Sequence, residues 1–88
     1  MELRPSARFG KSFKALSSEL QARARKSLKQ FRANPRHPSL HFEKIATGYR
    51  TIRVDMNFRI VLRSVDETEG VFDIVDIDSH DKVYAKYG

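Results

Sequence analysis

The sequence predicts an α+β fold: two N-terminal antiparallel helices packed on a small twisted antiparallel sheet, in the order β-α-α-β-β-β-β. Three observations point to it. Apolar residues recur at helical spacing between Phe9 and Phe31, strand-like runs replace them after Leu40, and turn residues separate those runs. The length of 88 residues suffices for one compact domain and not for two, so residues 1–88 are read as a single domain with any site built on one core.

Met1 to Arg4 forms a short opening strand ended by Pro5, and Ser6 can cap a helix from Ala7 to Leu16 whose apolar stripe is Phe9, Phe13 and Leu16. Ser17-Ser18 interrupts the pattern. Ser18 with Gln21 fits a capping box, and Glu19 suits the positive end of a new helix. That second helix runs to about Asn34 on a stripe of Leu20, Ala24, Leu28 and Phe31, and stops where Pro35 disfavours helical geometry at Asn34. A tight turn between antiparallel helices is expected; one long helix bent at the serines is the alternative. Strands are expected at 40–46, 49–54, 58–65 and 71–78, separated by Thr47-Gly48, Asp55-Met56-Asn57 and Glu67 to Gly70. The last does not alternate cleanly: Val71, Val75 and Ile77 share a parity with Asp73, and Phe72 and Ile74 share theirs with Asp76 and Asp78. It therefore needs apolar cover on both faces or a bulge. Asp81 to Tyr87 can add a last helical turn.

The hairpin within residues 49–63 is the most informative segment. With Asp55-Met56-Asn57 as its loop, Val54 pairs with Phe58, Arg53 with Arg59, Ile52 with Ile60 and Tyr49 with Arg63. Ile52, Val54, Phe58, Ile60 and Leu62 share one face, and Arg53, Arg59 and Arg63 share the other. Like charges facing across strands cost roughly 0.2–1 kcal/mol per pair unless an anion lies between them. A phosphate backbone would serve. The rival reading pairs these arginines with Glu43, Asp73, Asp76 or Asp78.

Net charge is +6 and the sequence pI about 10.0, which favours an anionic partner. The charge is uneven: Lys and Arg far outnumber acids between Arg4 and Lys44, whereas residues 66–81 hold seven acids and no Lys or Arg. Cysteine is absent, which excludes disulfides, thiolate metal sites and a cysteine nucleophile. No apolar run is long enough for a membrane span or a signal peptide, so a cytoplasmic location is expected.

Arg25, Lys29, Arg32 and Arg36 follow one another at helical steps, with Arg23 and Lys26 beside them; this is either a solvated helix face or an electrostatic guide for a polyanion. His80, where the last strand ends, suits a general acid or base, with Asp78 or Asp81 close in sequence. Tyr84 can stack on a base or pack the tail onto the sheet. His37 and His41 are four apart, but Pro38 prevents the helix that would join them, so no metal site is expected.

Several fragments together resemble the RelE/ParE toxin superfamily of bacterial and archaeal toxin–antitoxin modules: Phe9-x-x-x-Phe13-x-x-Leu16, the Asn34-Pro35 helix end, Leu40 to Ile45 leading to Gly48-Tyr49, Ile52-Arg53-Val54, Phe58-Arg59-Ile60 and His80-Asp81-x-Val83-Tyr84. The resemblance spans nearly the whole chain. It implies the toxin of a type II module, neutralised by a cognate antitoxin, acting as a metal-independent, cofactor-free, ribosome-dependent endoribonuclease on messenger RNA. The alternatives are a ParE-like inhibitor of DNA gyrase and an inert toxin-fold binding protein. Carried over residue by residue, the resemblance implies a catalytic set of Arg53, Arg59, His80 and Tyr84. Lys29, Arg32, Lys44, Arg50 and Arg63 would contact RNA.

Overall fold

The computed structural model describes residues 1–88. The chain order is β1 (Glu2–Pro5), α1 (Ala7–Lys14), α2 (Ser18–Ala33), a 3-10 turn (Pro38–Leu40), β2 (Glu43–Lys44), β3 (Arg50–Arg53), β4 (Phe58–Asp66), β5 (Val71–Ser79) and α3 (His80–Tyr87). The five strands form one sheet in the order β1-β5-β4-β3-β2.

The two N-terminal helices and the α+β class are as expected, and a tight turn separates the helices at the serines. Details of the caps differ. Ser17, not Ser18, caps α2 by accepting from Leu20 N at 3.2 Å, while Gln21 donates to Phe13 O at 3.0 Å and so ties the helices together instead of closing a capping box. The sheet is mixed, not wholly antiparallel, because β1 runs parallel to β5, with Glu2 opposite Val71 and Pro5 opposite Ile74. Ser6 extends that edge by donating from its N–H to Ile74 O at 3.0 Å and from its hydroxyl to Val75 O at 2.9 Å. It then caps α1, so the chain passes from sheet edge to helix without a loop.

The expected strand over 40–46 shrinks to Glu43–Lys44. Pro38 opens a 3-10 turn that buries Leu40, and His41 takes a left-handed backbone with φ of 48° that no ladder accommodates. The β3–β4 register is the one predicted: Ile52 faces Ile60, and Arg53 faces Arg59.

Both remedies for β5 are realised. Val61 faces Asp76 and Leu62 faces Ile74, so Val75 is an extra residue that reverses side-chain parity. Phe72, Ile74 and Ile77 thereby reach one core, with Phe9, Ala24, Phe31, Leu40, Ile52, Ile60 and Leu62 under α1 and α2. Burying each large side chain there contributes about 1.5–3 kcal/mol. The opposite face is covered by α3, a two-turn helix rather than a single turn, which places Val83 and Tyr87 on Val61 and Ile45. The β5 carboxylates face this second layer. Asp76, 1% exposed, accepts from Ser12 Oγ at 2.7 Å, Tyr87 OH at 2.7 Å and Ile77 N at 2.9 Å, so it joins α1, β5 and α3.

Candidate active site

Both ends of α3 are fixed. At its start, Ser79 Oγ accepts from Lys82 N, and the His80 N–H donates to Asn57 O at 2.5 Å. The hairpin loop that supplies this acceptor is itself held: Asp55 Oδ1 accepts from Asn57 N at 2.8 Å and Phe58 N at 2.7 Å, an Asx turn. Arg59 Nη1 donates to Asp55 O at 2.7 Å and Phe58 O at 3.0 Å. Loop, arginine and histidine therefore form one unit. At the far end, Tyr87 bonds Asp76 through its hydroxyl and accepts from Thr47 Oγ1 through its carbonyl.

On this frame the His80 and Tyr84 rings stack, centroids 4.5 Å apart and planes tilted by 40°. Tyr84 OH donates to Glu43 Oε1 at 2.9 Å, and His41 Nε2 lies 3.6 Å from Glu43 Oε2. The exposed His80 has Nδ1 3.4 Å from Asp81 Oδ1. Two shallow pockets flank the stacked rings. One, of about 360 Å³, is lined by Met56, Asn57, Arg59, Ser79, His80 and Asp81; the other, of about 450 Å³, lies over Glu43, Lys44 and Tyr84. Partial burial and then the bond to Glu43 hold the Tyr84 phenol above the ordinary tyrosine value, with Arg59 and Thr51 opposing. It therefore remains a hydrogen-bond donor at neutral pH.

Arg59 is 8% exposed yet makes no ion pair, and only its Nη1 bonds to protein. Its other N–H groups are free to meet an anion in the pocket it lines. Of the acids that could pair the hairpin arginines, Asp73 does take one, Arg63, while none reaches Arg53 or Arg59. Asp76 holds Ser12 and Tyr87, and Asp78 holds Lys86 at 3.0 Å. Burial works to raise the Asp78 pKa, but Lys86, the Ser79 N–H and Lys82 together outweigh it and hold the carboxyl below its ordinary value.

The structure brings Arg59, His80 and Tyr84 together. Arg53, although it faces Arg59 in register, lines a different groove, between the hairpin and α2. Of the cations expected to meet RNA, Lys44 lines the Tyr84 pocket, whereas Lys29 and Arg32 lie exposed on α2 without ion pairs. Arg50 is paired with Glu67, and Arg63 with Asp73. Glu43 has a second role that the sequence reading did not give it. The sequence presents it as a possible arginine partner, but its bond to Tyr84 crosses 41 positions and has no local signal. No three His, Asp and Glu side chains gather into a group able to hold a metal ion.

No protein-family model and no curated protein matches the chain. Solved structures do. The YoeB/ParE toxin from Agrobacterium tumefaciens aligns with a TM-score of 0.71 at 14% identity, covering 91% of this chain and 99% of that one. YafQ from E. coli strain BL21(DE3) aligns at 0.74 and 12% identity, covering 94% and 97%. The RelB–RelE antitoxin–toxin complex from Methanococcus jannaschii aligns at 0.72 and 16% identity, covering 97% and 99%. The fold is that of the RelE/ParE toxins. No helix is long and apolar enough to cross a membrane.

Proposed function

We propose that this chain is the toxin of a type II toxin–antitoxin pair and cuts messenger RNA in the ribosome, without a metal or other cofactor. One observation carries the reading: Arg59, with free N–H groups, adjoins a stacked His80–Tyr84 pair whose phenol bonds an accessible carboxylate, Glu43. The two pockets flanking the rings thus offer an anion binder and a proton donor, Arg59 and His80, on one side and a proton acceptor, Glu43, on the other.

In the proposed reaction the ribose 2′-oxygen attacks the adjacent phosphorus and passes its proton to Glu43. The P–O5′ bond breaks, and protonated His80 gives its proton to the departing 5′-oxygen, leaving a 2′,3′-cyclic phosphate. Arg59 compensates the negative charge that develops on the phosphoryl oxygens. Tyr84 holds Glu43 in place and supports the imidazole. Arg53 holds a neighbouring phosphate, and Lys29, Arg32, Lys44, Arg50 and Arg63 are the outer contacts, the last two after exchanging their carboxylate partners for phosphate. A cognate antitoxin would restrain the activity in the cytoplasm.

Expression in bacteria with mapping of messenger RNA ends tests the reading. Wild type should create new ends within translated codons, and His80→Gln and Arg59→Gln should not. Growth arrest without new ends, accompanied by gyrase-cleaved DNA, would instead support the ParE-like alternative. No new ends from wild type, with every phenotype unchanged in both variants, would favour a catalytically inert binding protein.

A further inference from the structure

We propose that the groove between α2 and the β3–β4 hairpin is a second phosphate site, which holds the backbone of the same RNA strand that reaches Arg59 from the other side of the hairpin. The groove encloses about 650 Å³ and is lined by Arg23, Lys26, His37 and Arg53, with Ser27 and Gln30 among the neutral walls and no carboxylate. Lys26 and Arg53 have no ion-pair partner, and Arg23 has only the exposed Glu19 at 3.1 Å, an i,i+4 contact that a ligand readily displaces. Arg23 and Lys26 are i,i+3 neighbours and so present adjacent charges on one helix face.

The frame is fixed before any ligand arrives. Ser27, 7% exposed, donates to Arg53 O at 3.1 Å and pins α2 to the hairpin. His37 Nδ1 accepts from Ser39 N at 3.2 Å, which puts the neutral ring's proton on Nε2 and leaves that N–H as its donor. Because Arg53 and Arg59 face each other across one ladder rung yet line separate cavities, a polyanion crossing the hairpin end meets both. This accounts for a like-charge pair that the sheet alone would disfavour.

Phosphodiester fits the groove better than an acidic polypeptide. Only Leu40 and Val54 contribute apolar lining, and Leu40 is 1% exposed. A peptide ordering itself on the surface needs apolar anchors to offset its lost entropy, whereas a sugar–phosphate backbone needs charge and donors alone.

The inference rests on the chain being directed at RNA, but its test does not require cleavage. The probe is a fluorescent single-stranded RNA with 2′-O-methyl riboses, which cannot attack their own phosphates, and its affinity is read by anisotropy over a salt series. Removing three phosphate contacts with Arg23→Gln, Lys26→Gln and Arg53→Gln together should flatten the log–log salt slope by about 2, at ~0.7 per contact, and weaken binding at least about tenfold. Lys26→Gln alone, at an exposed position, should flatten it by about 0.7. A control triple, Arg4→Gln, Lys11→Gln and Lys14→Gln, removes equal charge elsewhere and should change the slope clearly less. Equal effects of the two triples, or no effect of the groove triple, would overturn the site. So would polyglutamate binding as tightly as RNA and losing affinity in the groove triple, which would make it a polypeptide site. If messenger RNA is never cut but this groove-dependent binding persists, the cleavage reading fails and the groove stands.

Discussion

Along β5, each carboxylate facing the α3 side has a partner: Asp73 has Arg63, Asp76 has Ser12 and Tyr87, and Asp78 has Lys86. Along α2 and the end of the hairpin, Lys26, Lys29, Arg32 and Arg53 have no ion-pair partner, and Arg25 only lies over the Phe13 ring at 5.0 Å. The two regions differ less in how much charge they carry than in whether that charge is already answered. A row of acids beside a basic cleft repels a polyanion less when Asp73 and Asp78 are ion-paired and Asp76 is buried and hydrogen-bonded. The excess positive charge is thereby concentrated on α2 and the hairpin, where a ligand can use it.

The strongest test of that contrast is the free arginine in the cleft. Arg59→Gln should lower cleavage by about 10²–10³-fold, the usual effect of removing a donor to developing negative charge, while Arg53→Gln should cost clearly less because it holds a neighbouring phosphate. Ribosome-bound cleavage assays compare the two. Equal losses would erase the distinction between the two cavities.

The answered side breaks at Asp76. Asp76→Ala removes the buried acceptor shared by the Ser12 and Tyr87 hydroxyls, leaving Tyr87 only its contact with Arg8, and should cost about 1–3 kcal/mol. Urea unfolding should show the loss, and the His80–Tyr84 site should loosen with α3. An unchanged unfolding midpoint would mean that Asp76 is not what holds α3 down.

pH sharpens the same comparison. The Tyr87 phenol is raised by burial and then by Asp76, the Tyr84 phenol by burial and then by Glu43, and the Lys86 ammonium by its bond to Asp78. Groups raised in the folded state contribute stability that is fully present below their unfolded values, near pH 10, and is lost as pH rises through the folded ones. Asp78, depressed, contributes stability present above its unfolded value of about 3.9 and lost as pH falls through its folded value. Alkaline titration followed by phenolate absorbance should therefore show Tyr84 and Tyr87 ionising late, together with the undocking of α3. Early, independent ionisation of both would contradict the packing described.

The smallest effect belongs to Arg63→Gln. Its exposed pair with Asp73 should contribute little to stability, and thermal unfolding should register almost no shift. Its effect on RNA affinity should be smaller than that of Arg53→Gln, because Arg63 must first release a carboxylate.

Much of this was legible along the chain. Phe9, Phe13 and Leu16 mark one helix face, and Ala24, Leu28 and Phe31 mark the next. The Asp55-Met56-Asn57 loop sets the Arg53–Arg59 register, because alternation with one buried face permits no one-residue slip. The parity conflict in Val71 to Asp78 announced a bulge or double cover, and both are present. The parallel pairing of β1 had no such signal, since nothing in four residues tells which edge they join. Glu43 was legible as an acid and not as part of the site.

The sequence by itself determined the class of elements, the hairpin register and the excess of positive charge, because periodicity, turn sterics and composition act locally. Only the tertiary structure decided which charges remain free. Ser12 reaches Asp76 across 64 positions and Tyr84 reaches Glu43 across 41, and whether an arginine is answered depends on such distant neighbours. Arg63 and Arg59 look alike on one strand; the fold gives the first a carboxylate and leaves the second facing an open cleft.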